Sequence, residues 1–525
     1  MFQDVRRGLT RRRGGVVAAL AVCALALASC GGGDSPAPGT VIGSGGSAGR
    51  PPAEGPPTTR ARDPGDARLG AEARPQLIAR YGGAVTGPLA DYVTRLGRRI
   101  ASESEQPEAA WTFTVLDTPV VNAFATPGGY VYVSRGLIAL ADDEAELAGV
   151  IGHEIGHVAA DHAARRRRQS TLARLGALAA VIGASVLGAE GAMLDAVGQS
   201  AAAIGQGAVA SFSREQELEA DRLGVRYLAR AGYDPEAQAD FLESMQAQSA
   251  LQSELAGRAY DANRVDFFAT HPAAAARVRE AIRAAAAEGL DMPGDRPRDR
   301  DRFLNAIDGM VYGDSRAQGF VREGRFLHPE LRFAFAAPEG FTIANSARAV
   351  TMQGRSGRIV FDGGRDPGLA PARYIAEAWA PALAERAPTG RLSDLESFRI
   401  DGLEAAGAWM AVRTREGAAL ARLTAIRAGD GRLYRFFALV DPRDRSARAA
   451  ARAAPRSFER LSMAETARLQ PYRIRIVTVG RRDTVESLAA RMPFERANLE
   501  RFRVLNDLSP GERVAPGDRV KLVAG

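Results

Sequence analysis

A chain of 525 residues is long enough for about three domains, and a content of 46% hydrophobic and 25% charged residues is that of a globular protein with a buried core. The formal charge of +7 is almost wholly arginine, Lys521 being the only lysine, and five Arg of the excess stand within the first 13 residues; no basic face interleaved with aromatics remains, which excludes nucleic acid as a partner. Only Cys23 and Cys30 are present, so a disulfide framework is excluded as well.

At the N-terminus, Arg6, Arg7 and Arg11 to Arg13 precede an apolar run, Val16 to Ala28. The run is too short to span a bilayer and suits a signal peptide. Leu27-Ala28-Ser29-Cys30 resembles a bacterial lipobox. That resemblance implies a lipoprotein signal peptide over residues 1–29, cleavage before Cys30 and acylation of Cys30. Residues 30–64 then hold the lipidated cysteine and a disordered tether rich in Gly, Pro and Ser. Gly31 follows the cysteine where Asp marks inner-membrane retention in Gram-negative lipoproteins, so the expected address is the outer membrane, facing the periplasm.

Order is expected from Gly65. Leu89, Tyr92, Val93, Leu96 and Ile100 recur at helical spacing and predict a helix over 89–104. Strands are expected over 111–116, 119–125 and 130–133, the last pair joined by the turn Pro127-Gly128-Gly129. Asp143, with Glu146 three residues on, forms a capping box for the next helix, which is expected to run past His157 towards Arg165 to Arg168. Leu175 to Ala189 is an apolar Gly/Ala-rich helical excursion too short to cross a membrane. Ser213 to Ala231 is a further helix, and a loop and an Ala/Arg-rich helix fill 266–287.

The stretch "GVIGHEIGHV", Gly149 to Val158, carries the chemistry. His153 and His157 lie about 40° apart on one helical face, one turn from each other, so both imidazoles can hold one cation, with Glu154 beside it as a general base. A catalytic zinc needs a third protein ligand. In "EQELEAD", Glu217 and Asp221 share a face while Glu219 lies about 200° from Glu217 and points away. This assigns Glu217 as third ligand and Asp221 as acceptor for the far nitrogen of a ligand histidine. His162, about 140° round the helix from His157, falls off the metal face, and His328 has no ligand-like neighbours.

"VVNAFATPGGYVYVSRGLIAL", "DDEAELAGVIGHEIGHVAADH", "ELEAD" and "THP" together resemble the HtpX- and CAAX-prenyl-protease-related zinc metallopeptidases, most of all their periplasmic BepA and LoiP type. The resemblance implies a mainly α zincin domain of the gluzincin type with a small β-sheet over 65–290. It implies one Zn²⁺ per chain on His153, His157 and Glu217, with Glu154 as base and Asp221 as support. Asn122 and Ala123 match the edge strand along which substrate lies by strand addition. His271 matches a loop histidine that plugs the open metal position, Arg277 an arginine that follows it; either is a candidate to stabilise the transition state.

"DMPGDRPRDRDR" opens a charged linker, 291–323. Alternating strand and turn signals over 324–466, with helices over 371–386 and 446–461, predict an α+β domain with its helices on one face of an antiparallel sheet. Residues 472–525 resemble a small LysM-like βααβ module, which implies binding of N-acetylglucosamine glycans such as peptidoglycan. The tetratricopeptide repeats of BepA-like proteins have no counterpart here, as the chain shows no 34-residue period. The whole is expected to be a multidomain, lipid-anchored zinc endopeptidase acting on unfolded or misassembled envelope proteins. The alternative is a latent zinc-domain chaperone or a peptidoglycan-tethered outer-membrane assembly factor.

Overall fold

The computed structural model describes residues 64–166, 212–255, 271, 275–287, 296–355, 357–385, 389–414 and 417–525. The expected signal peptide, Cys30, the tether and the excursion at 175–189 lie outside them. The fold is multidomain, a helical region followed by a β-rich one, and the chain divides into two compact units.

The first unit holds residues 64–337, 342–350 and 460–525. It opens with helices α1 (Pro64–Arg80) and α2 (Pro88–Ala101). The apolar stripe of α2, Tyr92, Val93, Leu96 and Ile100, is buried as its spacing requires. Strands β1 (Thr112–Leu116), β2 (Ala123–Thr126) and β3 (Tyr130–Ser134) form a sheet in the order β1-β3-β2. β1 and β3 are parallel, β2 and β3 antiparallel, which leaves β2 at an edge. Gly128 and Gly129 adopt φ of 88° and 83° and make the turn between them.

Helix α3 (Arg135–Leu140) leads into α4 (Glu144–Ala159), which is buried from its first residue to His157. Asp143 caps α4 by accepting from the Glu146 amide at 2.9 Å. Helices α5 (Arg214–Arg230) and α6 (Glu236–Leu255) pack against it, and α7 (Ala275–Ala287) packs on both of them. Glycines set the distance between α4 and α5. A Cβ on Gly156 would lie 3.0 Å from the Ala220 carbonyl oxygen, and one on Gly224 3.1 Å from the His153 nitrogen. Larger residues at these positions would push the two metal-facing helices apart.

The charged stretch expected as a linker is bound along its described part. Arg300–Ile307 is a helix, α8, with Phe303, Leu304 and Ile307 fully buried. The Arg298 carbonyl accepts from the first amides of α4, Glu144 and Ala145, at 3.0 and 3.2 Å. Its guanidinium pairs with Asp143, Asp234 and Asp240. The arginines of this stretch find acids on α4 and its neighbours, which sequence polarity alone does not reveal.

The C-terminal segment belongs to the same core. Its strands Tyr472–Thr478 and Arg519–Ala524 are antiparallel and enclose two short helices, Val485–Ala489 and Asn498–Leu505. Ile474, Leu488, Phe502 and Val523 join one apolar cluster with Ile138, Leu147 and Ile151 of the helical region. Lys521 is wholly buried and donates to the carbonyls of Ala139, Leu140 and Ala141, the last at 2.6 Å. It also pairs with Asp142 at 3.2 Å. It thereby closes the C-terminus of α3, where carbonyls have no helical partner, directly before α4 begins.

The second unit spans residues 351–459 with 338–341. Its strands follow the order Thr389–Ile400, Leu403–Thr414, Gly417–Ala428, Arg432–Val440, Gly357–Arg365, all antiparallel. Helices cover both faces, contrary to the one-sided expectation. Ile375 and Trp379 pack on Ala406, Ala408, Met410 and Leu423. Helix Arg445–Arg456 covers the face of Trp409, whose side chain alternates with those of Ala408 and Met410. The run Ala405 to Met410 is buried without a break, as two-sided covering demands.

Candidate metal centre

Four side chains, two from α4, one from α5 and one from a loop position, meet at one point. His153, His157, Glu217 and His271 each offer a ligand atom, all within 4.8 Å of one another and all buried. His153 Nε2 and His157 Nε2 are 3.0 Å apart. Glu217 Oε1 is 3.4 Å from His157 Nε2, and Oε2 is 3.7 Å from His153 Nε2. A tetrahedral zinc with bonds near 2.0–2.1 Å separates its ligand atoms by about 3.3 Å, so this donor set fits that ion in spacing and in kind. Two imidazole nitrogens facing each other have only one useful proton between them, which leaves lone pairs turned inward beside a carboxylate.

Each ligand histidine is held from behind. His153 Nδ1 lies 2.9 Å from Asp221 Oδ1. Burial works against charge on His153, but the Asp221 hydrogen bond and the charges of Asp221, Glu217 and Glu154 outweigh it and raise its pKa. Burial drives the His157 pKa well down, against the pull of Glu217. Burial alone would raise Glu217, yet hydrogen bonds from His157 and His271 hold its pKa well below the carboxylate range. Arg277 bonds Asp221 through Nε and Glu217 Oε2 through Nη2 at 3.2 Å. It thereby braces both acidic residues of α5 beside the donor cluster.

The support of His157 departs from the helical extrapolation. His162 Nδ1 lies 2.8 Å from His157 Nδ1, and its Nε2 lies 3.1 Å from Glu219 Oε2, which also binds Arg165. Helix α4 ends at Ala159 instead of running on, and Asp161 takes a left-handed φ of 54°. That reversal returns His162 beneath the metal face, and Glu219, on the opposite side of α5 from Glu217, meets it there. An Asp directly after the C-cap Ala160, a residue tolerant of the left-handed region, was the only local signal. His162→Ala is expected to leave the fold intact and to speed Zn²⁺ loss to a competing chelator by roughly 10- to 100-fold; unchanged release would show that the contact does no work.

Glu154 is buried, with Oε1 free of any hydrogen-bond partner among the described residues. Burial raises its pKa, partly opposed by His271 and His153 and by a hydrogen bond from the Ala125 amide. The same β2 strand places Ala123 at the edge of the sheet and Asn122 just before it, buried, its Oδ1 unpartnered among the described residues. His271 Nδ1 is 3.0 Å from Glu217 Oε1 and 3.4 Å from His153 Nε2, and its Nε2 is 3.6 Å from Glu154 Oε1. His328 lies away from the cluster and accepts from the Leu331 amide.

Comparison with known proteins agrees with this geometry. Residues 89–285 match Peptidase family M48. The beta-barrel assembly-enhancing protease of Escherichia coli strain K12 is 30% identical over 197 residues, 37% of this chain and 38% of that one. The protein of the same description from Yersinia pestis is 31% identical over 203 residues, with the same shares. The mitochondrial metalloendopeptidase OMA1 of Schizosaccharomyces pombe is 29% identical over 216 residues, 41% of this chain and 59% of that one. The chain thus spans under two fifths of the length of the bacterial relatives. Over residues 89–285 it carries a zinc metallopeptidase domain of family M48, similar to that of the beta-barrel assembly-enhancing proteases.

Proposed function

We propose that this chain is an envelope zinc endopeptidase that hydrolyses peptide bonds of misfolded or misassembled envelope proteins. The observation that carries it is Glu154, a buried carboxylate with a free oxygen beside a four-donor cluster of zinc character. A pure metal-binding fold has no need of a base there. His153, His157 and Glu217 hold the ion, oriented by Asp221, Arg277, His162 and Glu219. When bound, the ion supplies Lewis acidity towards water and towards a peptide carbonyl. Glu154 takes a proton from the attacking water and returns it to the leaving amine. Burial suits it to that exchange, since raising the pKa of the carboxyl makes the carboxylate a stronger base. The β2 edge aligns an extended substrate backbone past Asn122 and Ala123.

Acylated Cys30 holds the enzyme at the outer membrane of a Gram-negative envelope in this reading, facing the periplasm. Among the described residues no helix is long and apolar enough to cross a membrane. The βααβ segment at 472–525 is then a LysM-like module that adds peptidoglycan to its contacts. The related assembly-enhancing proteases support the substrate class. Casein, an unfolded chain, should be degraded and a stably folded protein spared. Cleavage of neither, with zinc bound, would argue against an endopeptidase.

A second reading has one observation in its favour. His271 occupies a place in the donor cluster, so the chain is latent until its loop moves, and a chaperone or assembly role precedes proteolysis. His271→Ala is expected to raise casein turnover several-fold at unchanged zinc content; unchanged turnover and unchanged zinc would remove the plug.

A further inference from the structure

The second unit has no part in the metal centre, yet it holds a charge arrangement that its own fold does not satisfy. Trp409 and Arg422 are direct cross-strand partners on the face covered by helix Arg445–Arg456. Both are buried: Trp409 is 1% exposed, and the Arg422 side chain 3%. Arg422 Nη2 pairs with Glu396 Oε1 at 2.5 Å. Its Nε and Nη1, and the indole Nε1 of Trp409, have no hydrogen-bond partner among the described residues.

Three more guanidiniums converge there. Arg448, Arg452 and Arg456 recur every four residues, which aligns them in one stripe along the helix. Arg422, Arg448 and Arg452 stand 5.3, 5.7 and 5.6 Å from the Trp409 ring, and Arg456 5.8 Å from the ring of Phe398. Among the described residues none of the three helical arginines has an ion-pair partner. Four cations thus share one carboxylate, the half-exposed Glu396. Burial pushes the Arg422 pKa down, and the charges of Arg452 and Arg456 push it further, against Glu396.

We propose that this face, formed by Arg422, Trp409, Arg448, Arg452 and Arg456, is a binding site for a phosphate-bearing anion. Covering Trp409 requires only the aliphatic stems of the helical arginines. It explains neither the unpartnered nitrogens of Arg422 nor the shortage of acids. Guanidinium forks match phosphate oxygens in pairs. A single carboxylate would neutralise only one of the three unpaired charges, whereas a phosphate monoester or diphosphate carries two or three. Arg452 and Arg456 are exposed and Arg448 half-buried, so the stripe is open to solvent while Arg422 lies beneath it. Phe398, half-buried beside Arg456, offers an aromatic contact to a phosphate carried on an organic group.

The full chain, at fixed ionic strength, is titrated with inorganic pyrophosphate by calorimetry. In a parallel arm it is floated with phosphatidylcholine vesicles with and without phosphatidic acid, whose headgroup is a phosphate monoester. Binding in either arm is expected to weaken at least 10-fold in the triple variant Arg448→Gln/Arg452→Gln/Arg456→Gln. Arg445→Gln, on the same helix but outside the cluster, should bind as the wild type does, and casein cleavage should be unaffected in both variants. Binding of vesicles alone identifies a lipid headgroup as the source, binding of pyrophosphate alone a free phosphate. The site is refuted if the wild type binds neither probe, if the triple variant binds equally well, or if Arg445→Gln weakens binding as much. Should the triple variant fail to fold, the exposed Arg452→Gln carries the same comparison.

Discussion

Glu154→Gln is expected to keep its zinc and lose about 10²- to 10⁴-fold in turnover on casein. The amide has nearly the volume of the carboxyl, so the packing of α4 is not disturbed. Glu154 lies outside the four-donor set, so the ligands survive the change. What disappears is proton transfer, because a neutral amide cannot accept a proton from water near neutrality. The Oε1 position has no hydrogen-bond partner among the described residues to lose. A variant that lost zinc and activity together would show that Glu154 holds the site together and would remove it as the base.

Lys521→Met is expected to destabilise the first unit by about 3–5 kcal/mol, the cost typical of removing one partner of a buried ion pair. Lys521 donates to three carbonyls at the end of α3 and faces Asp142. Methionine fills a similar volume but leaves those acceptors buried and unpaired, and Asp142 without its cation. The damage falls one residue before the cap of α4, the helix of His153, Glu154 and His157. The first unfolding transition in urea should therefore move to lower denaturant, and zinc should be released more easily. An unmoved transition with unchanged zinc retention would show that the C-terminal segment is a passenger. Lysine's rarity makes the point sharper: the single lysine among 69 basic residues is wholly buried, where a slim ammonium reaches three carbonyls.

The metal centre was legible because helical spacing is arithmetic. His153 and His157, then Glu217 and Asp221, are each four apart, and one turn of helix puts each pair on one face. His162 was misplaced by the same arithmetic, since it assumes a helix that the left-handed Asp161 had already ended; Glu219 points away from Glu217 as expected, and only its meeting with His162 was not legible. The strand Thr389–Ile400 left no alternating pattern because most of its side chains face solvent. The arginine-rich stretch at 296–302 read as a solvated connector, because a charge in sequence does not name the acid it meets. The docking of the C-terminal segment depended on contacts over 380 residues apart, such as Lys521 to Ala139, which no local pattern encodes.

The most direct measurement is a zinc titration of the metal-stripped full chain, with casein cleavage followed at each step. Activity rising in proportion to added Zn²⁺ and levelling at one equivalent per chain is the predicted result. Cleavage indifferent to zinc, or absent at full occupancy in both the wild type and His271→Ala, would contradict an endopeptidase built on His153, Glu154, His157 and Glu217.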